Sequence, residues 1–287
     1  MGGRLIVRSG GGLLVLMVFF QCALSFANQE TPEKLFPYIL SPGRDAPLLT
    51  VGAAVSGVGL YMSMTLESPT DAELTALDRD DVPRFDRPAI GHNSDPARTV
   101  SNVGLISLLT IPSLLLLPEL LDLRARWRNG VTLITMYVET LMLTWGITMI
   151  TKVLVGRARP IAYDDRIPEE ERLEENFTAF FSGHTSLSFC GATFATTVFF
   201  DLFPDTPWRF VVLGLGLAWA ATTGTMRYLG GKHFPSDILV GAIVGSTFGF
   251  GVPLAHRRRY FEGRHAAWRI VPQVTERHVG LASQLTF

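Results

Sequence analysis

Six stretches of the chain are apolar for long enough to cross a bilayer, and polar segments separate them. They cover 48–66, 102–121, 131–150, 186–203, 210–226 and 238–255. Each approaches the roughly 20 residues that a helix needs to span the hydrocarbon core. The first is rich in Gly and Ser, and the third carries Glu139 near its middle, a costly place for a carboxylate. Glu139 is read as a hydrogen-bond partner inside the bundle. The pattern therefore predicts an all-α, polytopic membrane bundle of about six transmembrane helices. The segments between them, including a short basic loop at 122–130, are read as loops.

Composition strengthens this picture. The 287 residues are 47% hydrophobic and only 18% charged, with a net charge of −1. A nucleic-acid binder would show a basic balance and a basic stripe, and this chain has neither. The two cysteines, Cys22 and Cys190, sit in apolar runs and form no metal-ligand or disulfide pattern. Residues 1–27 read as a signal peptide, with Arg4 and Arg8 before an apolar core at 13–24 and "SFA" before a cleavage point after Ala27. Residues 28–101 then form an N-terminal periplasmic and first-span region, and 102–255 the membrane-embedded catalytic domain. Residues 256–287 form a cytoplasmic basic tail.

Charge orients the spans. Arg124, Arg126 and Arg128 before the third span, and Arg257, Arg258 and Arg259 after the sixth, mark cytoplasmic ends. The loop 161–181, with seven acidic residues and two Arg, fits the outside. Alternation then puts 152–160, 182–184 and 227–237 on one outer face. The front half conflicts with this order. A cleaved leader puts residue 28 outside, whereas a single crossing by 48–66 starts inside.

The three segments on that face carry the chemistry. "KVLVGRARP" holds Lys152 and Arg159, "SGH" holds Ser182, Gly183 and His184, and "RYLGGKHFPSD" holds Arg227, His233 and Asp237. Three cations match the charge of one phosphate, and Arg can bind two of its oxygens at once. Ser182 and Gly183 precede a helix, whose first N–H groups and dipole favour an anion. Pro235 suits a first helical position and puts Asp237 in the first turn, in reach of one ring nitrogen of His233. The other nitrogen can attack phosphorus. His184 is the remaining acid and base. The cations do the work that Mg²⁺ does elsewhere, so no metal or other cofactor is expected. Lys232 is read either as a headgroup sensor or as a solvated charge, and 77–87 as an outer lid or a solvated loop.

These residues resemble the type 2 phosphatidic acid phosphatase family, which shares its fold and site with the vanadium haloperoxidases. The first motif matches at Lys152, Arg159 and Pro160. The second matches at Ser182, Gly183 and His184, with Phe181 in place of Pro. The third matches at Arg227, His233 and Asp237, with Met226 in place of Ser. The resemblance covers about residues 100–255. It implies His233 as nucleophile, Asp237 as its orienting partner and His184 as general acid. Lys152, Arg159, Ser182, Gly183 and Arg227 would hold the phosphate. It also implies a lipid phosphate or pyrophosphate substrate, reached from the bilayer at the periplasmic face of a bacterial inner membrane. Undecaprenyl pyrophosphate, phosphatidylglycerophosphate, phosphatidic acid and lipid A phosphates are the candidates. The alternatives are a phosphotransferase using the same phosphohistidine, and a lipid-binding or transport protein with a degenerate site.

Overall fold

The computed structural model describes residues 36–114, 123–173, 177–258, 267–275 and 278–286. The proposed leader, 1–27, lies outside them. Among the described residues the α-helices are α1 Pro42–Met64, α2 Asp71–Thr75, α3 Asp95–Leu114, α4 Leu123–Val155, α5 Glu169–Leu173, α6 Gly183–Leu202, α7 Trp208–Leu229 and α8 Pro235–His256. Every predicted span falls on one of the six long helices. Residues 115–121 of the second span lie outside the described residues. Among the described residues, three segments are long and apolar enough to cross a membrane by length and composition, namely Pro42–Met64, Trp127–Tyr163 and Pro235–His256.

Two boundaries differ from expectation. The stretch 123–130, read as a loop, is the first two turns of α4, a helix of 33 residues. Leu, Ala and Arg are good helix formers, so the charges interrupt hydropathy without interrupting the helix. Likewise α3 starts at Asp95, seven residues before the apolar run, with Asp95 in its first turn. The polar segment before it is also structured. Thr70 and Glu73 close a capping box on α2, with Thr70 Oγ1 accepting from the Glu73 N–H at 3.2 Å.

Helix α6 is the centre of the bundle. Its buried residues run from Thr185 to Phe199 on nearly all sides, as expected of a helix surrounded by others. Ala192, Ala195 and Phe199 pack against Leu108 and Ile111 of α3 and Val212 and Ala220 of α7. Phe194 and Val198 pack against Leu133 and Met136 of α4 and Val252 of α8. Thr193, Thr196 and Thr197 donate their hydroxyls to carbonyls one turn back, which keeps these polar groups satisfied in an apolar core.

A stripe of small residues fixes α8 on α6. Gly241, Gly245 and Gly249 recur every fourth position, and each faces the α6 backbone at Ser182, Ser186 and Cys190 respectively. Such stripes let helix backbones touch where lipid offers no hydrophobic drive. The contacts run in the same order along both helices, so α6 and α8 start at the same end of the bundle. A Cβ at Gly245 would overlap the Ser186 carbonyl oxygen. Gly245→Ala is therefore expected to cost about 1–3 kcal/mol and to separate the two helix starts, read as a lowered unfolding midpoint in detergent.

Helix α1 runs alongside α4 in the same direction. Gly52 faces Met142, Gly59 faces Met149, and Ser56 Oγ donates to the Met142 carbonyl at 2.9 Å. The segment before α1 is stitched to the far end of α8. Ile39 N–H donates to the His256 carbonyl at 3.0 Å, and Arg258 N–H to the Pro37 carbonyl at 2.8 Å. Tyr38 OH and Arg257 Nε both donate to Asp201 Oδ2, at 2.6 and 2.8 Å. The six long helices thus alternate in direction, and α1 begins at the end opposite Lys152, Ser182 and His233. The first predicted span is therefore one continuous helix of 23 residues.

The bundle is helical as expected, but the tail is not. Ala267–Thr275 (β1) and His278–Thr286 (β2) pair antiparallel, with Ala267 opposite Thr286.

Candidate functional site

The end of α4 supplies the first cation. Lys152 lies in its last turn, 9% exposed, and Nζ donates to the Thr178 carbonyl. Beyond the helix, Arg159 Nη2 donates to Thr178 Oγ1 at 3.2 Å. The segment before α6 therefore holds both cations on one residue.

Ser182 is the N-cap of α6. Its Oγ accepts from the Thr185 N–H at 3.3 Å and from Thr185 Oγ1 at 2.9 Å, while its own N–H donates to the Asp237 carbonyl at 3.1 Å. That N–H is thus spent on joining α6 to α8. Gly183 and His184 lie in the first turn, where N–H groups have no intrahelical acceptor. Gly183 lies against Lys152, whose Cε would be 3.5 Å from an added Cβ. His184 Nε2 lies 2.8 Å from Asn102 Oδ1 on α3.

The third motif spans the turn from α7 to α8. Arg227 is in the last turn of α7, 7% exposed, and its Nε is buried without a hydrogen-bond partner. Gly231 has φ +69°, and a Cβ there would overlap the His92 carbonyl oxygen. Only glycine fits both demands, and this turn places His233. His233 is buried, and its Nδ1 lies 2.8 Å from the Ala179 carbonyl. A carbonyl only accepts, so Nδ1 carries the hydrogen and Nε2 of the neutral ring holds the lone pair. Burial, followed by the charges of Lys152, Arg227 and Arg159 and by the His184 ring, holds the His233 pKa well below its usual value. The same influences show that the three motifs converge.

Asp237 takes a different place from the one expected. Its Oδ2 is 3.7 Å from His233 Nδ1, too far for a hydrogen bond. The closer partners are the Phe234 N–H at 2.8 Å and Arg157 Nη1 at 2.6 Å. The backbone of Ala179 fixes the tautomer, and Asp237 anchors the start of α8.

Arg157, Asp86 and Asn102 escaped the sequence reading. Arg157 bonds Asp237 and Ser236 Oγ through Nη1, and Asp86 Oδ2 through Nη2 at 2.8 Å. It also stacks 4.1 Å above the Phe234 ring. Asp86 is 2% exposed and accepts from both Ser236 N–H and Ser236 Oγ. The segment 77–87, expected as a lid, is thereby pinned to the start of α8.

Lys232 sits beside the cations, half-buried. Burial, then Arg98 and Arg159, lower its pKa to about 8, against the pull of Glu171 and Asp95. Its positive charge is present below that value and lost as pH rises through it. An anionic ligand is therefore expected to bind more weakly as pH passes about 8. KM profiles of wild type and Lys232→Gln check this, the variant lacking that limb.

The described residues form an alternating helical bundle, with three cations and two histidines of the sequence motifs gathered at one end. Residues 133–261 match the model of the PAP2 superfamily. Two solved structures are similar. Aquifex aeolicus LpxE is 19% identical, with a TM-score of 0.36, over 56% of this chain and 94% of the other. The first transmembrane PAP2-type phosphatidylglycerolphosphate phosphatase from Bacillus subtilis is 15% identical, with a TM-score of 0.39, over 88% and 96%.

Proposed function

We propose that the protein is a metal-independent phosphatase acting on a lipid phosphate or pyrophosphate through a phosphohistidine. The observation that carries this reading is His233. Its Nδ1–H is held by a backbone carbonyl, its Nε2 keeps a lone pair, and Lys152, Arg159 and Arg227 surround it with positive charge. In the proposed reaction Nε2 attacks phosphorus and the bond to the leaving oxygen breaks. That oxygen takes a proton from His184. His184 then accepts a proton from water, whose oxygen attacks the phosphohistidine and releases phosphate. The cations offset the charge that spreads over the phosphoryl oxygens.

A lipid substrate fits the surroundings. A groove of about 290 Å³ opens between α7 and α8, lined by Phe85, Thr225, Tyr228, Pro235, Ile238 and Leu239. An acyl or prenyl chain lying there would keep its headgroup beside His233. The basic residues Arg257 and Arg258, and those at the start of α4, lie at the opposite end of the bundle. That distribution supports a cytoplasmic far end and a periplasmic site in a bacterial inner membrane. Phe36 then lies on the cytoplasmic side, so cleavage after Ala27 with residue 28 outside does not fit this orientation. Fusion reporters after residues 28 and 90 are expected to report opposite sides.

The substrate test is phosphate release by the purified chain from undecaprenyl pyrophosphate, phosphatidylglycerophosphate, phosphatidic acid and lipid A. One of these lipids is expected to turn over. Transfer of the phosphate to an acceptor alcohol without release would favour the phosphotransferase instead. No reaction with any of them would leave a lipid-binding role and overturn the proposal.

A further inference from the structure

Glu139 is a buried charge that the phosphate site does not use. It lies thirteen residues before Lys152 on α4, roughly 20 Å nearer the other end of the bundle. Both of its carboxylate oxygens are buried and without a hydrogen-bond partner. Two residues from other helices face it, Asp45 in the first turn of α1 and His256 at the end of α8. His256 Nε2 is 3.2 Å from Asp45 Oδ1 and 3.2 Å from Glu139 Oε2. Neither contact has hydrogen-bond geometry, and Nε2 is buried without a partner. Glu139 and His256 are 0% exposed and Asp45 6%. One ligand atom from each of the three lies within 4.8 Å of the others.

We propose that Asp45, Glu139 and His256 bind a divalent cation of the zinc or manganese kind, clamping α1, α4 and α8 at the end opposite the phosphate site. One imidazole nitrogen and two carboxylate oxygens suit such ions. A nitrogen–oxygen separation of 3.2 Å is that of neighbouring ligands on an ion about 2.1 Å from each. The outer contacts are those of a ligand set. His256 Nδ1 is 2.8 Å from the Val252 carbonyl, which places the hydrogen there and the lone pair on Nε2. Asp45 accepts the Ser41 N–H on Oδ2 and Arg44 Nε on Oδ1, both at 2.6 Å. With a neutral imidazole, the two carboxylates and Arg44 leave one negative charge beside the cation. The rival arrangement is a protonated His256 shared by both carboxylates. It would direct the Nε2 hydrogen onto an oxygen, which the observed geometry does not do.

The test uses the full chain in detergent, stripped with EDTA and reloaded with Zn²⁺ or Mn²⁺ alone. Elemental analysis after dialysis is expected to find about one ion per chain, with Tm raised by about 5 °C. Glu139→Gln and His256→Gln are each expected to lose both effects. Either variant can also fold poorly, so Co²⁺-loaded wild type is read by its visible absorption, which reports nitrogen and oxygen coordination directly. Wild type that retains less than about a tenth of an equivalent and shows no Tm shift would overturn the clamp and leave the shared proton. Retention of the ion by both variants would overturn it equally. None of these readouts uses phosphate release, so the clamp and the phosphatase reading stand or fall separately.

Discussion

His233→Ala is expected to lower phosphate release by about 10⁴-fold or more, because in the proposed mechanism it removes the atom that forms the bond to phosphorus. The loss should fall on kcat, since Lys152, Arg159 and Arg227, the proposed phosphate ligands, are kept. Labelled substrate quenched in base should leave label on wild type and none on the variant, since phosphohistidine survives base and is lost in acid. Unfolding in detergent serves as the control, because the variant also leaves the Ala179 carbonyl without its donor. A variant that keeps a tenth of the wild-type rate would rule out His233 as nucleophile. The wild-type pH profile carries a second sign. His233 must be neutral to attack, and its folded pKa lies well below the usual value. Activity should therefore persist as pH falls through the ordinary histidine range and be lost only as it passes the lowered pKa. An acid limb of kcat/KM at the ordinary histidine value would contradict the electrostatics described.

Arg157→Ala is expected to destabilise the protein by about 3–5 kcal/mol, because it strands two buried carboxylates. Asp86 and Asp237 are 3% and 0% exposed in their side chains, and this one guanidinium bridges them. In a chain of this size that corresponds to a fall in Tm of roughly 10 °C. Pairing Arg157→Ala with Asp86→Asn should recover part of the loss, since one of the stranded charges is removed with its partner. Full additivity of the two losses would show that the ion pair carries none of the effect. Arg157 is a positioning residue. Its variant should lower kcat with little change in KM, because the α8 start that carries Asp237 would shift while the proposed phosphate ligands remain.

The sequence made the spans and the three motifs readable for one reason. Apolar runs and fixed spacings are local properties, and Lys152 to Asp237 lie at the ends of such runs. What it hid was pairing across distance. Asp86 lies seventy-one residues from Arg157, in a segment whose many charges look solvated. Arg157 sits inside the first motif but at a position the family pattern leaves open. Asn102 reads as an ordinary polar residue in the first turns of a span. The tautomer-fixing group is a backbone carbonyl, Ala179, which no residue type announces. Asp237 was assigned to His233 by proximity along one helix turn, yet Arg157 and the Phe234 N–H are the closer partners. The extent of α4 was hidden because arginines lower hydropathy while favouring a helix. His256 could have been suspected, since a histidine ending an apolar span raises the same question as Glu139 within one.

The contacts that join Pro37 and Ile39 to His256 and Arg258 bring the start of α1 beside the end of α8. The order in which the helices are strung is then separable from the order in which they touch. A chain linked across that junction, and opened instead at the Pro204–Pro207 turn between α6 and α7, would keep every helix pairing and both clusters of buried charge. The architecture belongs to the set of helix contacts, and the place where the backbone is cut is a detail of its threading.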